Sequence, residues 1–228
     1  MAVSKEFIYK KPCWNIPKVF SPIISIVLAL ITIPALAQNK IDSTAIKDEM
    51  RKQRIELSKT GKNHKLLANF IGRWAFTGKH FLSDTTLKPL VEFNGFQEVK
   101  ATLDERFFIF ERTGGKLVMP WSNGQEITAK EMNIEGYDNI KKKFVTASIG
   151  NHWETGIYTT EGTYDSTTQT FTYDGEYASA SASGKMRKIH MLIKIIDNDH
   201  YKAVRYNIID GQVMGITKIN FKRVKGSK

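Results

Sequence analysis

Cysteine is almost missing from this chain: its 228 residues contain one, Cys13, inside a basic N-terminal stretch. Beyond that stretch there is no disulfide framework, no thiol nucleophile and no cysteine-ligated metal. Acidic residues are short too, 23 Asp and Glu against 34 Lys and Arg, leaving a formal net charge of +11. Long apolar runs are absent apart from Phe20–Ile33, whose length of about 14 residues falls short of the roughly 20 that a membrane-spanning helix needs. Also missing are His-Glu-x-x-His, Gly-x-Ser-x-Gly, a phosphate-binding Gly-Lys-Ser/Thr loop and a dinucleotide fingerprint. The familiar hydrolase, metalloprotease and nucleotide-binding classes lose ground accordingly.

What the N-terminus does have is a basic leader (Lys5, Lys10, Lys11, Lys18), the apolar run, and Ala35-Leu36-Ala37 before Gln38. Together these describe a secretory signal cleaved between Ala37 and Gln38, with a retained anchor as the alternative. The protein is expected to be exported, to the periplasm or the medium. Cys13 precedes the apolar run, whereas a lipidated cysteine would follow it. Export argues against nucleic acid as a partner, and so does the placing of the charge. Lys141-Lys142-Lys143 falls in a predicted turn, and Lys222, Arg223, Lys225 and Lys228 read as a frayed tail. The remaining basic surface is solvated, or makes peripheral contact with an anionic envelope surface.

Residues 42–58 are helix-forming and strongly charged, with Asp42 or Ser43 as N-cap, and Thr60-Gly61 ends them. A short helix at 64–70 follows, with Leu66, Leu67 and Phe70 on its apolar face. From Trp74 onward the chain is a series of short runs rich in Phe, Tyr, Ile, Val and Thr. They lie at 73–82, 90–101, 105–113, 130–137, 143–149, 156–164, 169–177, 187–196, 200–209 and 213–224. Gly114-Gly115, Ser122-Asn123-Gly124, Asp197-Asn198-Asp199 and Asp210-Gly211 read as connections. Tyr137-Asp138 before Phe144 repeats as Tyr164-Asp165 before Phe171, the mark of successive hairpins.

About ten meandering strands predict a mainly β fold, an antiparallel up-and-down barrel whose closure removes open edges. The expected organisation is a signal peptide at 1–37, a helical segment at 38–70 and the barrel at 71–228. Alternation places Phe171, Tyr173 and Tyr177 on one face, and Trp74, Phe76 and His80 on one face, each expected to be the inner one. Ala178–Gly184, alternating Ala and Ser, reads as a loop at the mouth, or an edge strand.

His64-Lys65-Leu66-Leu67, Gly72-x-Trp74, Gly136-Tyr137-Asp138-Asn139, Lys142-Lys143-Phe144-Val145, Thr155-Gly156-Ile157 and Glu161-Gly162-Thr163-Tyr164-Asp165 occur in that order. This ordered set resembles the exported bacterial proteins grouped as domain-of-unknown-function family 1579, over roughly residues 44–224. The short helix leading into Gly-x-Trp is also similar to the opening of lipocalins and other calycin-type barrels. The resemblance implies a lidded interior cavity and supplies no activity. Where the family tends to carry Trp-Ile-Asp, this chain reads Ser148-Ile149-Gly150-Asn151-His152-Trp153-Glu154, which points to a different ligand.

Candidate residues follow from this frame. His152 beside Glu154 could act as acid and base, or simply form an exposed hairpin tip. His80 and His190, both mid-strand, could ligate haem or zinc if they met inside the barrel; hydrogen-bonded core histidines are the plainer reading. No cofactor is required by the sequence, and no metal site is assigned. His64 is read as capping the short helix, and His200 after Asp197-Asn198-Asp199 as part of a hairpin turn. Glu111, Arg112 and Arg205 interrupt apolar strands and would need partners if they pointed inward. Alternation alone leaves the inner face of 105–113 open.

The expected ligand-binding set is Trp74, Phe76, His80, Glu111, Tyr158, Phe171, Tyr173, His190 and Arg205. The reading favoured is a carrier or sensor of a small apolar or amphipathic molecule. An enzyme using the same cavity, with His152 or His80 as acid–base and Glu111 or Glu154 as partner, and an envelope interaction module, working through the charged helix, are the alternatives.

Overall fold

Short aromatic and β-branched runs punctuated by turns form hairpins, and enough hairpins in one sheet curl until the first strand meets the last. The computed structural model describes residues 43–83, 85–118, 122–151, 156–178 and 185–226. Contacts group Thr44–Lys228 into one compact unit. Two helices, α1 (Ser43–Ser58) and α2 (Lys62–Ala68), precede the strands. These are β1 (Gly72–Phe81), β2 (Val91–Thr102), β3 (Phe107–Val118), β4 (Glu126–Asp138), β5 (Lys143–Gly150), β6 (Tyr158–Asp165), β7 (Thr170–Ala178), β8 (Met186–Ile195), β9 (His200–Ile209) and β10 (Gln212–Arg223). Each pairs antiparallel with its neighbours in sequence, and β1 pairs with β10, Trp74 opposite Arg223. The closed antiparallel up-and-down barrel expected from the sequence is the observed fold. The proposed leader at 1–37 lies outside the described residues, as do 179–184 of the Ala/Ser segment.

Alternation is obeyed where it was sharpest. Trp74 and Phe76 on β1, and Phe171, Tyr173 and Tyr177 on β7, are all buried inside. The repeated Tyr-Asp is a turn device used twice. Asp138 accepts the backbone N–H groups of Ile140 (2.7 Å) and Lys141 (2.9 Å), and Asp165 that of Thr167 (2.8 Å). Such bonds let a short side chain replace a missing strand partner at the tip of a hairpin. Asp197 repeats the arrangement, accepting from the Asp199 N–H at 2.7 Å and lying 2.9 Å from His200 Nδ1.

One end of the barrel is closed by α2 and an aromatic floor. His64 caps the helix, accepting the Gly61 N–H at Nδ1 (3.1 Å), while Leu67 and Phe70 are buried in the barrel core. The Phe70 ring lies 5.0 Å from Tyr201, 5.8 Å from Phe171 and 6.0 Å from Phe110. Trp74 donates its indole N–H to the Phe70 carbonyl at 2.8 Å, and Tyr201 stacks on Phe221 at 4.2 Å. Burying each large side chain is worth about 1.5–3 kcal/mol, so the packed rings hold this end of the barrel closed. Asn139, in the β4–β5 hairpin, ties the end of α1 to it by donating to the carbonyls of Leu57 (2.8 Å) and Lys59 (2.9 Å).

Two expectations are corrected. Gly114-Gly115 is not a connection: β3 runs through it to Val118, with a break in the β3–β4 register between Thr113 and Lys116. Gly114 has φ +154° and Gly115 φ +77°, and a Cβ on Gly114 would stand 2.4 Å from the Asn94 carbonyl oxygen and from the Cα of Gly95. The pair therefore makes a bulge that bends a long strand around the barrel. Arg223 is likewise no part of a frayed tail. It donates to the carbonyls of Ile71 (2.6 Å), Asn69 (2.8 Å) and Asn198 (2.9 Å) and lies 4.1 Å above the Trp74 ring, which locks the last strand to the floor.

Candidate functional site

Above the floor the barrel is not filled. A cavity of about 490 Å³ runs from Phe70 and Tyr201 up to Leu90, Leu117 and Lys130. Aromatic and aliphatic side chains, among them Phe76, Phe110, Phe171, Met191 and Ile219, make most of its surface. A second hollow, about 400 Å³, lies on the floor side beside Asn69, Asp197 and Asn198. Arg223 already crosses it to reach their neighbouring carbonyls, so the interior cavity is the better site.

Polar groups enter the apolar wall in sets. In the first, Arg112 Nη2 donates to Gln97 Oε1 (2.9 Å), and Gln97 Nε2 donates to the Tyr201 hydroxyl (2.5 Å). Arg112 Nη1 also faces Glu131 Oε2 at 3.4 Å. Residues 97, 112 and 131 are consecutive cross-strand neighbours on the inner faces of β2, β3 and β4, so the sheet register itself assembles this chain. Burial pushes the Tyr201 phenol up, well above its ordinary range.

In the second set, the Tyr173 hydroxyl on β7 donates to Glu135 Oε1 on β4. Glu135 is buried, and desolvation raises its pKa to about 8, so at neutral pH it is a carboxylic acid rather than a carboxylate. Thr146 and Thr160 (2.8 Å), and Ser148 with Asn133 (2.9 Å), complete the polar strip on this side.

The third set is cationic. Arg205 on β9 approaches the hydroxyls of Tyr158 (3.4 Å) and Tyr177 (3.5 Å), and its guanidinium lies 5.3 Å and 5.9 Å from their ring centres. The Arg187 guanidinium on β8 lies 6.0 Å from the Tyr177 ring. His80 Nδ1 is 3.0 Å from Thr217 Oγ1, and burial, aided by the charges of Arg205 and Arg187, lowers its pKa.

Of the residues expected at the site, Phe76, His80, Tyr158, Phe171, Tyr173 and Arg205 line this cavity. Trp74 faces inward but sits in the floor, bonded to Phe70. Glu111 faces outward, exposed, with Lys100 Nζ at 3.8 Å; on β3 it is Arg112, not Glu111, that takes the inner position. His190 is outside too, bonded to Asp174 at 2.8 Å, so His80 and His190 do not meet. His152 and Glu154 lie outside the described residues. Among the described residues no cluster of three or more metal-ligating side chains occurs, and no helix is long and apolar enough to cross a membrane.

Residues 59–223 match the family described as "Protein of unknown function (DUF1579)". The chain belongs to this family. Among curated proteins nothing matches it. Among solved structures, the barrel is similar to an S-type phycobiliprotein lyase from Guillardia theta at 10% identity, covering 76% of this chain and 98% of the lyase with a TM-score of 0.43. It is similar to a redesigned β-barrel at 12% identity, covering 70% of this chain and 96% of the design with a TM-score of 0.34. A protein of unknown function from the DUF3598 family of Nostoc punctiforme matches at 7% identity, covering 72% of this chain and 100% of that one with a TM-score of 0.20.

Several lining residues of this DUF1579 barrel escape a reading by alternation. On β4 the usual signal is inverted: Met132 and Ile134 point outward, while Glu131, Asn133 and Glu135 point inward. On β8, inward Arg187 sits two residues before buried Ile189, and Met191 shares the face, so no simple polar side marks it. Asn207 on β9 is hidden the same way. Period two is kept on β4, but alternation alone would read its polar face as the solvated one, so the pattern marks the two faces without saying which is inner.

Proposed function

We propose that the barrel binds one small amphipathic molecule in its interior and works outside the cytoplasm. The observation that carries the reading is the cavity itself, about 490 Å³ of space with an aromatic wall and a few placed polar groups. Pockets of that size and mixture suit a single small ligand. A side-chain-filled barrel would leave no such volume, because protein interiors close-pack. Export is supported by the basic leader, the apolar run and the Ala-x-Ala site before Gln38. An acid–base enzyme built on His80 with Glu111 gains no support, since His80 bonds to Thr217 and Glu111 is outside the barrel.

The test is saturable uptake of the neutral dye N-phenylnaphthylamine, whose fluorescence rises in apolar surroundings. One site per chain is expected, abolished by Ser148→Phe, which places a ring in the cavity while the far-ultraviolet circular dichroism stays that of a β-barrel. Absence of saturable binding by the wild-type chain would refute the reading.

A further inference from the structure

Two hydroxyl hydrogens on the cavity wall lack an acceptor among the described residues. The first belongs to Glu135, which lines the cavity and is 3% exposed. Its Oε1 accepts from Tyr173, and among the described residues no basic side chain pairs with it. A carboxyl buried without a cation keeps its proton, and with Oε1 engaged that proton sits on Oε2.

The second belongs to Tyr201, which also lines the cavity, from β9, opposite β4 in the ring of ten strands. The Tyr201 hydroxyl accepts from Gln97 Nε2 at 2.5 Å, and Gln97 Oε1 is taken by Arg112, so the phenol hydrogen has no return bond to make. Burial does most to raise the Tyr201 phenol, and the Glu135 carboxyl adds to the rise against the pulls of Arg112 and Gln97. The two donors are therefore electrostatic neighbours, although their strands stand on opposite sides of the barrel.

From this pair we infer that the ligand carries a carbonyl oxygen, which accepts from Glu135 and Tyr201 while its apolar body lies on Phe76, Phe110 and Phe171. The inference rests on the proposed binding function and names the class of molecule that the site takes. A carbonyl oxygen has two lone pairs and no hydrogen, so it can take both donors and adds none of its own. A buried donor left without an acceptor is costly, and supplying that acceptor is a gain that a plain hydrocarbon cannot make. A carboxylic acid kept neutral by its apolar site is a sound donor for such an oxygen. A carboxylate head fits less well, because two neutral donors do not offset the loss of its hydration. An amine head brings further hydrogens to a place that already has two.

The experiment uses two competitors of one shape, 2-acetylnaphthalene and 2-ethylnaphthalene, displacing N-phenylnaphthylamine from the full chain. The affinity ratio of ketone to hydrocarbon is expected to fall about fivefold in Tyr201→Phe and in Glu135→Leu. Glu135→Gln, which still accepts from Tyr173 and offers an amide hydrogen, retains more of the ratio. The ratio cancels any general change in the cavity, and far-ultraviolet circular dichroism shows which variants are folded. Should Glu135→Leu fail to fold, Tyr201→Phe decides. The infrared carbonyl stretch of bound, ¹³C-labelled ketone is expected below its value in hexane, and to move back towards that value in the two variants. A wild-type ratio in the folded variants overturns the inference, as does a bound stretch equal to that in hexane. Wild-type protein that takes the dye and the hydrocarbon but refuses the ketone overturns it as well. Failure of the wild type to take the dye removes the binding function and this inference with it, whereas the other failures remove the inference alone.

Discussion

The Tyr173 hydroxyl donates to the Glu135 carboxyl from across the interior, joining β7 to β4 over the two strands between them. The bond holds a titratable acid inside the barrel, and burial holds its pKa at about 8 against an ordinary 4.5. Below pH 4.5 Glu135 is protonated in the folded and unfolded chains alike and has no effect on their balance. Between about 4.5 and 8 the folded chain binds a proton that the unfolded chain has released, so stability falls as pH rises. The slope contributed by this residue is at most about 1.4 kcal/mol per pH unit, and the fall ends above the folded-state pKa. Urea unfolding at intervals from pH 5 to 9 is expected to show the decline, and Glu135→Gln, which still accepts from Tyr173, is expected to flatten it. An equal decline in the variant would show that other groups are responsible.

Phe70 plugs the floor against Phe110, Phe171 and Tyr201. Phe70→Ala is expected to cost about 3–5 kcal/mol, the range for deleting a buried aromatic ring. A loss under about 1 kcal/mol in chemical denaturation would mean that the floor collapses onto the gap, and that the layer is less tightly packed than it looks.

The bulge on β3 offers a sharper test. A Cβ on Gly95 would meet the Thr113 carbonyl oxygen at 2.3 Å, and Gly114 has a backbone conformation closed to other residues. Gly95→Ala and Gly114→Ala are each expected to destabilise by more than the roughly 1 kcal/mol typical of a point substitution. Gly124→Ala meets nothing within 4 Å but has φ +79°, so it reports conformational strain without the clash. Melting temperatures of the three variants should rank Gly124→Ala as the mildest.

Export has a direct readout. Expressed from its own start codon in a bacterium, the chain is expected to be recovered outside the cytoplasm with Gln38 as its first residue, and hence without Cys13. Intact mass and N-terminal sequencing decide this. A protein that keeps residues 1–37 and sediments with the inner membrane would support the retained anchor instead.

The parts of the fold that were legible in the sequence are those where one physical rule acts alone. Period two and aromatic content located the strands, and the paired Tyr-Asp turns announced the hairpins before any contact was known. Gly114-Gly115 misled because glycine marks both turns and bulges, and only the closeness of Gly95 on the next strand distinguishes them. Arg223 misled because a basic residue near a chain end looks solvated until the floor carbonyls that it binds are brought to it. At the cavity, Phe76, Phe171, Tyr173 and Arg205 could be picked out because each interrupts or completes an alternation. Glu135 could not, since its burial follows from strand order and from the hydroxyl waiting on β7. His190 and Glu111 were lost for a related reason: which face of a strand turns inward is settled by its partners.

The seam between β1 and β10 sets a condition on how the barrel is made. Each other ladder joins strands adjacent in the chain, so it can zip from its own turn. The seam sets Trp74 opposite Arg223, and forms only after the rest of the strands are in place. Until β10 arrives, the partly built sheet offers β1 and β9 as unpaired edges, the kind of template on which chains aggregate. A nascent or truncated chain ending before Gln212 is thus a hazard to its cell, and delivery of the final strand is the step that makes the molecule safe.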